Sequence, residues 1–117
     1  MFSIIIPTFN NLPYLKVCID SIIKNSHFKH EVIPHVNVGD DGSEKYLITQ
    51  NIKYSITKYN AGICEGMNNA ARMATTNYIL YAHDDFYFLP GWDDALINEV
   101  KQIPHNKFYL SGIMMNN

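Results

Sequence analysis

The sequence predicts an α/β fold, with a mostly parallel sheet and helices on both faces. The main observation is that short apolar strands alternate with segments of helical period along the chain. Sheets of this kind are buried on both faces, and their crossover connections are right-handed. A length of 117 residues with 47% hydrophobic content also suits one domain, residues 1–117, with a substantial core.

The first half of the chain predicts strands at residues 3–6, 31–38 and 53–58. Between the first two, apolar side chains recur at helical spacing and predict an amphipathic helix: Leu15, Cys18, Ile19, Ile22 and Ile23. Pro34 interrupts the second strand and suggests a bulge or a late start there. A short helix is predicted at residues 43–50.

The second half continues the alternation. A helix that can pack closely on a sheet is predicted from a stripe of mostly small residues: Ile63, Met67, Ala70, Ala71 and Ala74. A fourth strand is predicted at residues 77–82. Pro90 and Pro104 bound a further helix with Trp92 and Leu96 on its apolar face. A last strand is predicted at residues 107–113.

Charge and composition exclude several classes of partner. The net charge is -2, and the nine basic residues form no run, so neither nucleic acid nor an acidic membrane surface is an expected partner. No apolar stretch approaches the roughly 18 residues of a transmembrane helix. The start of the chain lacks the basic region of a signal peptide, and two cysteines suit a reducing, cytoplasmic location.

Polar and acidic side chains follow the predicted strands: Pro7, Thr8 and Asn10 after the first, Asp40 and Asp41 after the second, Asp84 and Asp85 after the fourth. In an open α/β sheet, ligands bind beyond the carboxyl ends of the strands. Clustered carboxylates repel one another, and a divalent cation such as Mg²⁺ or Mn²⁺ would relieve that repulsion. The pattern therefore indicates a metal–phosphate site at this edge.

Structural interpretations of the same acids remain open. The run Asp40-Asp41-Gly42-Ser43 also fits a helix N-cap turn, and Asp84-Asp85 fits a solvated loop. Asp93 and Asp94 follow Pro90, so we interpret them as stabilising a helix start. Neither Gly-x-Gly-x-x-Gly after the first strand nor a Gly-Lys-Ser/Thr loop occurs, so a phosphate would be bound through a metal and not by a glycine cradle.

Four motifs in register resemble the family 2 glycosyltransferases of the GT-A fold, a Rossmann-like fold of nucleotide-diphospho-sugar transferases. They are Ser3-Ile4-Ile5-Ile6-Pro7-Thr8-Phe9-Asn10, then Asp40-Asp41-Gly42-Ser43, then Asn60-Ala61-Gly62 with Asn68, then Asp84-Asp85 with Pro90-Gly91-Trp92. The resemblance runs from residue 2 to about residue 112, which is the nucleotide-sugar-binding half in that family. It implies a nucleoside diphosphate sugar donor, with a UDP-sugar favoured, and Mn²⁺ or Mg²⁺.

Roles in the donor pocket follow from the resemblance by position. Pro7, Thr8 and Asn10 would line the base and ribose pocket. Asp41 would accept a hydrogen bond from the nucleobase, and Asp40 would support the turn or the ribose.

The resemblance likewise implies roles for the second acid pair. Asp84 would approach the ribose or the metal, and Asp85 would be the main metal ligand on the diphosphate. The metal would neutralise charge that develops on the leaving diphosphate.

A catalytic base is not recognisable, because the acceptor half of the family would begin after residue 112. Glu65 and Asp94 are the carboxylates left to consider. Three hypotheses remain: a truncated glycosyltransferase domain with an intact donor site, a non-catalytic nucleotide-sugar-binding module, or a nucleotidyltransferase-like enzyme. Without an acceptor half, exposed apolar surface would favour homo-oligomers.

Overall fold

The computed structural model describes residues 1–104 and confirms the α/β prediction. The parallel sheet has the order β3-β2-β1-β4, with strands β1 (Ser3–Phe9), β2 (Glu31–Asn37), β3 (Ser55–Thr57) and β4 (Ile79–Tyr81). The helices are α1 (Leu12–Asn25), α2 (Ser43–Thr49), α3 (Gly62–Ala71) and α4 (Trp92–Lys101). The strand predicted at 107–113 lies outside the described residues.

Helices cover both faces of the sheet, as predicted. On one face, Ile4 and Ile6 of β1 belong to an apolar cluster that also contains Leu15 of α1 and Leu47 of α2. Side chains of α4 pack against the same cluster. On the other face, Ile5 joins a small cluster with Ala70 of α3. The alternating directions of strand side chains explain why one apolar run serves both layers.

The face beneath α3 contains a buried hydrogen-bonded group in place of a large apolar cluster. His35 of β2 is fully buried, with Nδ1 lying 2.7 Å from Ser55 Oγ and Nε2 lying 3.1 Å from Thr57 Oγ1. Burial lowers the pKa of His35, against weaker opposing effects from Asn37 and Glu65. The ring is therefore held neutral and in a fixed orientation.

Pro34 lies in a regular ladder, so the suggested bulge or late start is wrong. Glu31 N donates to Phe2 O, toward β1, and Val38 N donates to Thr57 O, toward β3. Because successive backbone amides of a strand point to opposite sides, position 34 faces the β3 side. The pairing with β3 begins only at His35, opposite Ser55. The missing N–H of Pro34 therefore removes no ladder hydrogen bond.

A buried carboxylate ties the start of α4 to the rest of the domain. Asp93 accepts hydrogen bonds from His27 N at 3.1 Å, from Phe28 N at 2.9 Å and from His30 Nε2 at 2.9 Å. His30 Nδ1 in turn accepts from Phe2 N at 3.0 Å, which requires the proton on Nε2. The interpretation of Asp93 as structural is confirmed, and its partners extend to the beginning of β1.

The surface carries large apolar side chains that periodicity assigned to buried helix faces. Ile23 of α1 and Ile63 of α3 are both more than half exposed, since the buried stripe of each helix is narrower than predicted. Across residues 1–104, none of the helices combines the length and the hydropathy that a membrane crossing requires.

Replacing Gly66 with alanine is expected to destabilise the protein, although alanine normally favours a helix interior by up to about 1 kcal/mol. A Cβ at position 66 would lie 2.7 Å from Cδ2 of His35, whose two nitrogens are both hydrogen-bonded. We expect a loss of about 1–3 kcal/mol in unfolding free energy, measured by urea denaturation. Cys64→Ala, at an exposed position of the same helix, is the control. A Gly66→Ala variant as stable as the control would contradict the contact.

Replacing Asp93 with asparagine is expected to lower stability at pH 7 by about 2 kcal/mol. Burial raises the pKa of Asp93, but hydrogen bonds from Phe28, His30 and His27 outweigh it and lower the pKa from 3.8 to about 2. A lowered folded-state pKa stabilises the protein above pH 4, and this contribution disappears as the pH falls toward 2.

The difference between wild type and Asp93→Asn should therefore shrink between pH 4 and pH 2. Urea titrations across this range measure it. Asp94→Asn is a matched control, because Asp94 is half exposed and pairs only with the exposed His27 in the same region. A difference that stayed constant with pH would refute the assigned role of the Asp93 charge.

Candidate functional site

The predicted site residues follow the carboxyl ends of β1, β2 and β4 at one edge of the parallel sheet, and the space between the ends of β1 and β4 is called the crevice. The strand β4 adds to the opposite side of β1 from β2, so chain connections diverge at this point of the sheet, where α/β proteins bind ligands. Thr8, buried near the end of β1, donates from Oγ1 to Asp84 Oδ2 at 2.8 Å. Two residues that lie 76 positions apart are thus brought into direct contact, and one carboxylate oxygen is held in place.

The end of β1 supplies the exposed part of the crevice. Pro7 is half-buried and pairs with His35 in the ladder. Phe9 and Asn10 are exposed, and Asn10 has a left-handed φ of 45°, which asparagine tolerates better than most residues. Sequence reasoning passed over Phe9. An aromatic residue placed directly between a buried strand and a polar turn is the signal that identifies it.

Asp41 connects the starts of two helices. Its Oδ2 accepts from Leu12 N of α1 at 3.0 Å, and its Oδ1 accepts from Ser43 N of α2 at 3.1 Å. Burial raises the pKa of Asp41, but hydrogen bonds from Ser43 and Leu12 outweigh it, so the pKa lies below its usual value. Asp41 thus stabilises both helix starts, although Gly42 and not Asp41 occupies the N-cap of α2, and the contact with a nucleobase stays a prediction. Asp40 is exposed beside it.

The turn that carries these two aspartates is strained. Val38 has a φ of 69°, which a β-branched residue rarely adopts, and Gly39 follows with a φ of 77°. Such a backbone costs about 1–3 kcal/mol, and clusters of it are typical of ligand-binding turns. The hydrogen bond from Val38 N to Thr57 O, at 2.8 Å, helps to hold the conformation.

The segment after Asp85 is fastened to α1. Phe88 N donates to Ser21 Oγ at 2.9 Å, and Asn25 Nδ2 donates to Phe88 O at 2.7 Å. Asp85 itself is exposed and Asp84 is half-buried. The acidic turn is therefore anchored to α1 while the carboxylate of Asp85 remains accessible.

The two carboxylates give the end of the crevice a negative potential. Burial, followed by the charges of Asp84 and Asp85, raises the pKa of Cys18 to about 12. Its Sγ lies 3.6 Å from His83 O, so the thiol is an unreactive core group behind the acidic turn.

A divalent metal would fit Asp84 and Asp85 only if a bound substrate supplied further ligands to it. Among residues 1–104, no three His, Cys, Asp or Glu side chains gather in a way that could hold a metal ion. Mg²⁺ and similar ions bind through one or two carboxylates together with substrate phosphates and water. An exposed Asp85 beside Asp84 matches that donor set, with the remaining ligands supplied by a diphosphate.

A buried amide joins the crevice to α3. Asn37 Nδ2 donates to Thr8 O at 3.2 Å, and Asn37 Oδ1 accepts from Ala61 N at 2.8 Å. Asn60 Oδ1 accepts from Gly62 N at 3.1 Å and shapes the same turn. Sequence reasoning missed Asn37, since an asparagine near a strand end ordinarily indicates only the end of the strand.

Comparisons with known proteins find a relative by sequence and similar folds among solved structures. An uncharacterized glycosyltransferase of Haemophilus influenzae is 26% identical over 112 residues, which cover 92% of this chain and 37% of the relative. The crystal structure of S. aureus TarS 1-349 in complex with UDP-GlcNAc superimposes with a TM-score of 0.76 at 21% identity, covering 86% of this chain and 31% of that one.

A second solved structure is similar. The mannosyltransferase PcManGT from Pyrobaculum calidifontis, in complex with GDP-Man and Mn²⁺, gives a TM-score of 0.71 at 21% identity, covering 89% of this chain and 32% of that one. These likenesses confirm the predicted GT-A fold. The chain spans about a third of the length of these relatives.

The family assignment rests on the sequence itself. The profile described as Glycosyl transferase family 2 matches residues 3–112, which is nearly the whole chain. This chain therefore belongs to glycosyl transferase family 2.

Proposed function

We propose that residues 1–117 form the donor-binding domain of a glycosyltransferase and bind a nucleoside diphosphate sugar, with a UDP-sugar favoured, in the crevice between β1 and β4. The observation that carries the proposal is the Thr8–Asp84 hydrogen bond, which joins two separate motifs at the switch point of the sheet. Family membership and the nucleotide sugars in the TarS and PcManGT structures support it.

The nucleoside would lie along the end of β1. Phe9 offers an exposed aromatic face for stacking on a base, and Pro7 and Asn10 flank it. Each oxygen of Asp41 accepts one backbone N–H and keeps a further acceptor site, which suits an N–H of uracil or guanine. Asp40, exposed on the same turn, would support the ribose.

The diphosphate would lie at the acidic turn. Asp85 would be the main ligand of Mn²⁺ or Mg²⁺, and Asp84, oriented by Thr8, would approach the metal or the ribose. When bound, the metal supplies positive charge that stabilises the leaving diphosphate. The protein's own contribution is to orient these carboxylates on an anchored turn.

A non-catalytic donor-binding module is the second candidate. The observation that favours it is that both carboxylates considered as a base are engaged elsewhere. Glu65 Oε1 accepts from Tyr59 Oη at 2.6 Å, and Asp94 Oδ1 lies 2.9 Å from His27 Nδ1. A base on the acceptor hydroxyl would then come from outside these residues. The nucleotidyltransferase alternative is disfavoured, because the β1–α1 turn has no glycine-rich phosphate loop.

Binding of UDP and GDP should depend on metal. Isothermal titration with and without Mn²⁺ tests this for the wild type, for Asp85→Ala and for Asp94→Ala. We expect Asp85→Ala to weaken binding at least about tenfold, because it removes a charged ligand of the metal–diphosphate complex. Asp94→Ala makes the same chemical change in the neighbouring acid pair and should leave affinity within about twofold.

Metal-independent binding, or no binding, would overturn the assignment of the donor site. If binding holds, an assay of donor hydrolysis and sugar transfer separates the two candidates. Tight binding without turnover supports the module.

Location and assembly complete the proposal. A cytoplasmic location is supported by two free cysteines, Cys18 and the exposed Cys64.

Self-association is supported by the exposed apolar side chains of the described surface, such as Ile23 and Tyr14. A strict monomer in light scattering at high concentration would count against it.

A further inference from the structure

We propose that Asn37 is a positioning residue of the donor site. Its buried carboxamide fixes the end of β1 and the start of α3 relative to each other, so that the Thr8–Asp84 pair and the Asn60-Ala61-Gly62 turn meet the donor in one arrangement. The inference rests on the proposed function and adds a residue outside the motifs that led to it.

The orientation of the amide follows from its partners. The Ala61 N–H must meet an oxygen, and the Thr8 carbonyl must meet a donor. Oδ1 therefore faces Ala61 at 2.8 Å and Nδ2 faces Thr8 O at 3.2 Å. Thr57 Oγ1 lies 3.4 Å from the same Oδ1, and its proton is better placed for Tyr59 O at 2.7 Å. Asn37 thus has one donor and one acceptor role, each toward a different segment.

Because Asn37 is buried, the loss of either hydrogen bond would leave a polar group without a partner. The side chain is 3% exposed in a strand whose neighbouring positions include the fully buried Ile33 and Val36. A buried amide lacking its partners is destabilising, whereas a branched apolar side chain would pack at such a position without that penalty. The two hydrogen bonds, to Thr8 of β1 and to Ala61 before α3, therefore explain why an asparagine stands at this buried position.

Few other contacts hold the turn before α3. A Cβ built on Gly62 would meet nothing within 4 Å, and Gly62 and Asn60 are both exposed. Within residues 1–104, the hydrogen bond from Ala61 N to Asn37 Oδ1 ties the Asn60-Ala61-Gly62 turn to β2, while Thr57 Oγ1 of β3 holds the preceding Tyr59 carbonyl. The Thr8 carbonyl on the other side of Asn37 belongs to the residue whose hydroxyl holds Asp84. Asn37 therefore links the acidic turn to α3 through a single residue of β1.

The test compares Asn37→Leu with Glu31→Gln. Glu31 lies at the opposite end of β2, where it accepts from Ser3 Oγ at 2.7 Å and from Thr75 N at 2.9 Å, so its substitution loses stability away from the crevice. Two quantities are measured below the unfolding transition: amide hydrogen exchange at Ala61 by NMR without ligand, and the UDP dissociation constant with Mn²⁺.

We expect Asn37→Leu to accelerate exchange at Ala61, relative to global unfolding, and to raise the UDP dissociation constant, each by about tenfold, which corresponds to about one lost hydrogen bond. Glu31→Gln should change neither. If Asn37→Leu does not fold, Asn37→Asp serves instead. It keeps the acceptor for Ala61 and loses the donor to Thr8, so protection at Ala61 should persist while UDP affinity falls.

Unchanged affinity in the Asn37 variants would overturn the proposal. So would an equal loss of affinity in Glu31→Gln, since the effect would then follow stability alone. If wild-type protein binds no UDP, the proposed function and the donor role of Asn37 both fail. Exchange at Ala61 still reports whether Asn37 fixes the turn, which separates the two failures.

Discussion

The position of β1 constrains everything else in this domain. It is hydrogen-bonded to β2 along its length and to β4 near its start, and Ile4, Ile5 and Ile6 are fully buried between two helical layers. Burying each such side chain contributes roughly 1.5–3 kcal/mol. A strand with neighbouring strands on two sides and helical layers on the other two can reach a ligand only where it ends. The candidate site residues of β1 therefore begin at Pro7 and Thr8.

The two helical layers meet this strand by different kinds of contact. The layer with α1, α2 and α4 is held by apolar burial, which is strong but not directional. The layer with α3 uses His35, Asn37 and the hydroxyls of β3, whose hydrogen bonds favour one geometry. The first layer contains the larger apolar cluster, and the second contains the hydrogen bond from the turn before α3 to Asn37.

The sequence allowed the order of all eight described elements to be predicted, because the apolar period of a strand or helix is a local property. Boundaries were less accurate. The strand β1 extends to Phe9 and not Ile6, since parallel pairing with β2 continues past the apolar run.

The candidate site was predictable as a set of strand-end residues, but its connections were not. Asp93 meets its partners 63 to 66 residues away, and Asn37 meets Thr8 across 29. A local sequence pattern carries no information on hydrogen bonds between residues so far apart in the chain. Asp41 illustrates the remaining ambiguity, because a carboxylate suited to capping two helices is equally suited to a ligand.

The proline in β2 has a consequence for how this strand is buried. Because β3 pairs only from His35 onward, the first half of β2 has no strand partner on that side within the described residues. Pro34 is nevertheless fully buried. A buried N–H without a partner destabilises a protein, and proline has no N–H to leave unpaired. The residue that weakens the strand pattern therefore lets β2 remain buried beyond the last residue that β3 pairs with.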